Sequence, residues 1–234
     1  MKGLPKIGSY LADDLGVSRI AIVWANTEFG RGGYDAFMTV DADEGMEVVA
    51  DIPTEQAQVD FAADVTRVIS SGAEAVFVYL TEEESARFLI AARQQGLSIP
   101  MAGDTVLVSQ RVIDLAGDAA NGALGHVGLS AAAPIPAIQE MSGRFEERFG
   151  YVHDQNAIKG YLGAWTVRYV TELIGDFDRE AFAKRMNGLC LDAANYPNIL
   201  MDVCWDETGE ISRASFLVEV VDGAQVITRM LPAN

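Results

Sequence analysis

Arg19-Ile20-Ala21-Ile22-Val23-Trp24-Ala25, ending at Asn26-Thr27, is a near-continuous apolar run of the length of one strand. A strand buried on both faces reads this way, since neither face turns polar. Glu47-Val48-Val49-Ala50-Asp51-Ile52 and Ala75-Val76-Phe77-Val78-Tyr79-Leu80 repeat it, with centres near 21, 49 and 77, a step of 28 both times. That step is too wide for hairpins and leaves room for one crossover helix each time. Asp60 to Ser70 supplies such a helix, with Phe61, Val65, Val68 and Ile69 on one face. Glu82-Glu83-Glu84 opens the next, Ala86, Leu89 and Ile90 form its stripe, and Arg93 and Gly96 close it. Acids at the start, a base at the end and a glycine stop are helix signals. Further strands are expected at Pro100 to Gly103 and around Ala123 to Leu129. Repeated βα units predict an α/β fold with a doubly wound parallel sheet.

The second half changes character. Pro134-Ile135-Pro136 punctuates a loop, and Ala137 to Phe149, Asn156 to Ile174 and Asp178 to Met186 read as helices. Strand patterns return at Asn198 to Trp205 and Ser215 to Val221, around a turn at Asp206-Glu207-Thr208-Gly209. Val221-Asp222-Gly223-Ala224 marks a second hairpin turn.

Composition narrows the function. The 234 residues carry 17 Lys+Arg against 34 Asp+Glu, a net charge of −17, and half of them are hydrophobic. Enough apolar area exists for a packed core, and the acidity argues against nucleic acid and anionic membrane surfaces. No apolar run reaches the ~18–20 residues of a membrane span, and no secretory signal is readable behind Met1-Lys2-Gly3-Leu4-Pro5. Cys190 and Cys204 either close one loop in an oxidising compartment or stand as two buried free thiols.

Catalytic and metal patterns are weak. There is no Gly-x-Ser-x-Gly elbow, and His126 and His153 have no nearby cysteine or acid pair. Asp41-Ala42-Asp43-Glu44-Gly45 departs from a calcium loop, because its glycine comes one residue early and Ile52 stands where a glutamate is needed. No zinc spacing is present, and no cofactor or metal is expected. Gly30-Arg31-Gly32-Gly33-Tyr34-Asp35 follows a strand, but Asp35 replaces the third glycine of a dinucleotide loop and would repel phosphate. A glycine-assisted helix start is the plainer reading.

Ligands of open α/β sheets bind beyond the carboxyl ends of the strands. Three such ends are readable, at Asn26 to Gly30, Leu80 to Glu82 and Gly103 to Thr105. Their aromatic, hydroxyl and carboxylate groups suit a small zwitterion or carboxylate, with Asp104 facing an ammonium.

The order of these segments resembles the leucine/isoleucine/valine-type periplasmic binding proteins, the type I solute receptors of ABC importers. Arg19 to Val23 followed by Thr27-Glu28-Phe29-Gly30-Arg31-Gly32 is similar to the start of that family's second lobe. Asp60-Phe61-Ala62, Gly72 to Val78, Ala91 to Leu97, Gly160 to Trp165 and Met201 to Gly209 continue the likeness over nearly the whole chain. The resemblance implies a non-enzymatic receptor for an amino acid, amide or related small carboxylate, captured by interlobe closure. Its partners would be that ligand and the importer's membrane subunits, and its location periplasmic. It carries ligand contacts onto Phe29, Thr81, Asp104 and Thr105. It divides the chain into a lobe-one remnant with hinge at 1–16, lobe two at 17–130, a lobe-one helical segment at 131–197 and closing hairpins at 198–234.

Family members carry a βα-rich first lobe before the point matched by residue 1, and it usually holds the ligand's carboxylate. With half the clamp lacking, the expectation is weak affinity and self-association through apolar helix faces around 137–188. The alternatives are a cytoplasmic ligand sensor of the same fold and a doubly wound α/β enzyme.

Overall fold

The computed structural model describes residues 3–233, the side chains of 40–44 excepted. Two compact units emerge, one running through Val127 and taking in Leu217–Thr228, the other comprising Gly128–Phe216 and the residues from Arg229 onward.

The first unit is built on a seven-stranded sheet. Its parallel part consists of β2 (Glu47–Thr54), β1 (Arg19–Ala25), β3 (Ala75–Tyr79), β4 (Met101–Gly103) and β5 (Ala123–Val127), in the order β2-β1-β3-β4-β5. Beyond β5 lie β9 (Ser215–Val221) and β10 (Ala224–Leu231), joined by a turn in which Asp222 and Gly223 both take positive φ. Every residue of β3 is buried, as are all but the first of β1, which explains their uninterrupted apolar reading. One face is covered by α1 (Gly3–Ser9), continued by a π turn to Asp14, and by α2 (Glu28–Glu44), which pack on each other. On the other face α3 (Ala62–Ser71), α4 (Glu82–Gln94) and α5 (Gln110–Ala116) pack in succession. The doubly wound sheet is therefore present. One detail differs: Ile69 is exposed, because α3 turns only Val65 and Val68, with Phe61 before it, into the core.

At the outer edge, Trp24 Nε1 donates to Asp51 at 2.7 Å and the Tyr34 hydroxyl donates to the other Asp51 oxygen at 3.0 Å. The two rings stack 4.7 Å apart. This side-chain bridge ties α2 to the edge strand. Residues 41–44, weighed above as a calcium loop, end α2, and Gly45 comes next at φ 69°. No group of potential metal ligands occurs among the described residues. Nor is any described helix long and apolar enough to cross a membrane.

The second unit holds α6 (Pro136–Phe149), α7 (Gln155–Ile174) and α8 (Arg179–Met186) with a small antiparallel sheet of β6 (Cys190–Leu191), β7 (Val203–Trp205) and β8 (Ile211–Arg213). The strand expected from Asn198 is shorter than its pattern. Pro197 begins a 3-10 turn through Ile199, and Leu200 takes φ 65°, so pairing starts only at Val203. Tyr169, Val170, Leu189, Leu191, Ile199 and Val203 form the core there. Asn198 is clamped between two phenols, accepting from Tyr161 at 2.8 Å and donating to Tyr169 at 3.0 Å.

Cys190 and Cys204 stand directly opposite each other across β6 and β7 and form a disulfide. A bridge closing a loop of about 15 residues restricts the unfolded chain by about 3 kcal/mol. Cys204→Ser, or reductant on the wild type, should lower the melting midpoint by a corresponding amount. A midpoint indifferent to both would show that the bridge contributes nothing.

His126 is the other group whose burial has a measurable consequence. Its Nε2 is enclosed without a hydrogen-bond partner among the described residues. Burial, and secondarily the Lys6 charge, push its pKa down to about 4. The folded state thus holds the imidazole neutral, while the unfolded chain gains a proton near its ordinary value of 6.5. Stability is fully present above pH 6.5 and falls as pH drops towards 4, by about 3 kcal/mol in all. His126→Leu should flatten that part of the stability–pH curve, measured by urea unfolding from pH 7 to 4; an unchanged slope would assign it to other groups.

Candidate ligand-binding site

In the order β2-β1-β3-β4-β5 the chain reverses direction of winding between β1 and β3. The crevice beyond the carboxyl ends of strands at such a switch point is where open α/β sheets take ligands. Phe29, in the first turn of α2, and Tyr79, the last residue of β3, meet there with ring centroids 4.7 Å apart in a stacked arrangement. Tyr79 is buried, whereas Phe29 is 44% exposed, so the pair has an inner and an outer ring.

Two glycines make this packing possible. A methyl group on Gly30 would lie 1.8 Å from the Ala25 carbonyl oxygen, so only glycine lets α2 start this close to the end of β1. A methyl group on Gly33 would lie 2.2 Å from the Tyr79 ring. The glycine-rich stretch is thus a helix start shaped for close packing, as the plainer sequence reading has it. Thr27 assists by accepting from the Gly30 amide at 3.2 Å.

Thr81, two residues beyond Tyr79, opens α4. Its hydroxyl donates to the Glu84 carboxylate at 2.7 Å and its amide to the same oxygen at 3.1 Å. Glu84 is buried and its other oxygen accepts from the Ala57 amide at 2.6 Å. The sequence offers Glu82, Glu83 and Glu84 as one acidic helix start. Only Glu84 turns inward, where three hydrogen bonds compensate its burial.

Asp104 and Thr105 come directly after β4. Asp104 accepts from the Val106 amide at 2.9 Å, which fixes the loop as a turn, and Thr105 donates its hydroxyl to the His126 carbonyl at 3.3 Å. Burial, reinforced by the Asp104 carboxylate, pushes the Tyr79 phenol up to about 12. Tyr79 therefore stays a neutral donor at any physiological pH.

All four residues inferred from the sequence, Phe29, Thr81, Asp104 and Thr105, lie at the carboxyl ends of the neighbouring strands β1, β3 and β4. Tyr79, which stacks on Phe29 and feels the Asp104 charge, was missed. Its signal was present, as an aromatic residue closing a buried strand, but strand periodicity alone assigns such a ring to the core. The two hydroxyls serve the fold first, since each is engaged within the protein, whereas Phe29 keeps an open ring face.

Gly33→Ala should displace Tyr79 and break its stack with Phe29, at a cost of about 1–3 kcal/mol for overpacking. Near-ultraviolet circular dichroism and the melting midpoint would register both effects; wild-type values in each would mean that α2 has room to move.

Likeness to known proteins extends along the chain. A family model described as "Periplasmic binding protein" matches residues 2–225. A Leu/Ile/Val-binding protein homolog 1 from Brucella abortus (strain 2308) is 20% identical over 206 residues, covering 87% of this chain and 53% of the relative. The chain thus spans about half the length of the curated relatives it matches. Among solved structures, the leucine-binding protein LivK of Thermotoga maritima superposes with a TM-score of 0.86 at 17% identity, covering 99% of this chain and 65% of the other. A solute-binding protein of an ABC transporter from Rhodopseudomonas palustris BisB5, solved in complex with 3,4-dihydroxybenzoic acid, gives 0.81 at 22% identity, with 99% and 65% covered. These structural likenesses establish a shared fold, and the family match over nearly the whole length establishes more: the chain belongs to the periplasmic binding protein family.

Proposed function

We propose that this protein is a solute-binding receptor of an ABC importer and that its ligand carries a free amino group, as an amino acid or amino-acid amide does. The observation that carries this reading is the Phe29–Tyr79 stack with the Asp104 carboxylate acting on Tyr79 at the β1/β3 switch point. An open aromatic face binds an apolar side chain, and a carboxylate beside a neutral phenol attracts an ammonium and repels an anion. Thr81 and Thr105 would contribute oxygen lone pairs, their hydroxyl protons being given to Glu84 and His126.

The same electrostatics set this site against an aromatic carboxylate of the kind bound by the Rhodopseudomonas protein, since Asp104 would face its charge. A small carboxylate without an amine is the poorer fit for the same reason. Enclosure of the ligand by a second lobe, and recognition of the closed form by the importer's membrane subunits, belong to the family's mode of action. On this reading no bond is made or broken in the ligand. The Cys190–Cys204 bridge fits an oxidising, periplasmic location.

Thermal-shift and calorimetric screens of the 234-residue chain against amino acids, their amides and benzoates test the proposal. A binder at a hundred times its Kd should add about 2.7 kcal/mol of stability. Phe29→Ala and Asp104→Asn should each weaken binding about tenfold or more, or about 1.4 kcal/mol, with the fold retained. Preference for benzoates, or full affinity in both variants, would overturn the site; turnover of a bound compound would overturn the receptor.

A further inference from the structure

Glu84 is 2% exposed, and no other acidic residue is buried among the described residues. Its three bonds come from neutral donors, the Thr81 amide and hydroxyl and the Ala57 amide. No described Lys or Arg pairs with it, and Arg87, one turn along α4, donates instead to the Gln58 carbonyl at 3.1 Å. Burying a carboxylate without a countercharge is costly, because neutral donors replace its hydration only in part. Capping α4 does not require that charge, since glutamine fills the same place in a capping box. The carboxylate therefore calls for a role beyond the helix start.

The backbone that meets Glu84 is strained. Ala57 takes φ 59°, a left-handed conformation that alanine seldom adopts. Its amide reaches Glu84 at 2.6 Å from there, and the loop around it is tied down. The Glu55 amide donates to Gln58 Oε1 at 3.0 Å, and Gln58 Nε2 donates to the Asp60 carbonyl at 2.8 Å. Strain of this kind persists only where the surroundings over-determine it, and it clusters at functional sites. Here it holds one carboxylate oxygen on Ala57 and so keeps the other on Thr81.

Thr81 is exposed at the carboxyl end of β3, two residues after Tyr79. With its hydroxyl proton given to Glu84, Oγ1 has only lone pairs left for a ligand, and the charge behind it polarises them. We propose that Glu84 is a positioning residue of the ligand site: through Thr81 it selects ligands that donate, a primary ammonium above all, and disfavours carboxylates. The inference rests on the receptor reading above and deepens it. Asp104 would attract an ammonium by its own charge, whereas Glu84 decides what Thr81 can offer. Glu84, Thr81 and Ala57 all belong to the first unit.

Calorimetric titration of the 234-residue chain with leucinamide and with 4-methylpentanoate, which share a side chain and carry opposite charge, tests it. The wild type should prefer leucinamide. Glu84→Gln leaves one oxygen for Thr81 and Ala57 to share and removes the charge. The preference should then fall about tenfold, with far-ultraviolet circular dichroism unchanged. Thr81→Ser should keep the wild-type preference and Thr81→Val should lose it, Glu84→Gln adding nothing further in the Thr81→Val background. An undiminished preference in Glu84→Gln, or a full further fall on top of Thr81→Val, would overturn the role of Glu84 and leave the receptor standing. A wild type that binds neither compound, or prefers 4-methylpentanoate, overturns the amine reading and this inference with it. One measurement needs no variant to fold: the Thr81 hydroxyl proton of the wild type should exchange slowly with water in nuclear magnetic resonance. Free exchange would show that Glu84 does not hold it, and would overturn the proposal.

Discussion

Strand β1 is paired on both edges, with β2 and β3, and buried on both faces, so nothing near it can move without breaking sheet hydrogen bonds or opening a void. Its crowding constrains the residues next in the chain. The backbone must leave Ala25 and enter α2 against its own strand end, and the glycine at position 30 is the residue that fits beside the Ala25 carbonyl. Once α2 is seated there, Gly33 faces the Tyr79 ring and Phe29 stacks on it. The aromatic pair at the switch point is thus a geometric result of burying β1, and the Trp24–Asp51–Tyr34 bridge fastens the same helix to the sheet edge.

Around that pair the polar side chains are bonded within the protein. Thr81 is bound to Glu84, Thr105 to the His126 carbonyl, and Asp104 to the amide that closes its own turn. Loops whose side chains are already engaged are stiff, and a stiff half-site loses less conformational entropy when a ligand arrives. The groups that line the proposed site are an aromatic face, hydroxyl oxygens and a carboxylate. That set is electron-rich, and it motivates the choice of an amine over an anion.

The second unit is organised differently. Its three strands number two, three and three residues, too little sheet to hold a core without help. The disulfide across β6 and β7 and the Tyr161–Asn198–Tyr169 clamp supply that help from within. Apolar surface remains on α7 all the same, Val167 and Leu173 among it.

Sequence alone determined the parallel half of the first sheet, because three strands buried on both faces print uninterrupted apolar runs and a regular step between them admits only helical crossovers. It also determined the family, whose segments recur in order, and the strand ends from which Phe29, Thr81, Asp104 and Thr105 were read. Tertiary structure alone decided what depends on residues distant in the chain. Tyr79 becomes part of the candidate site only because β3 lies beside β1, and Glu84 differs from Glu82 and Glu83 only because the Ala57 amide comes to meet it. The pairing of Cys190 with Cys204 rests on the register of β6 against β7, strands whose two and three residues are too few to leave a periodic signature. Local pattern records which side of an element is buried; which partner buries it is fixed by packing.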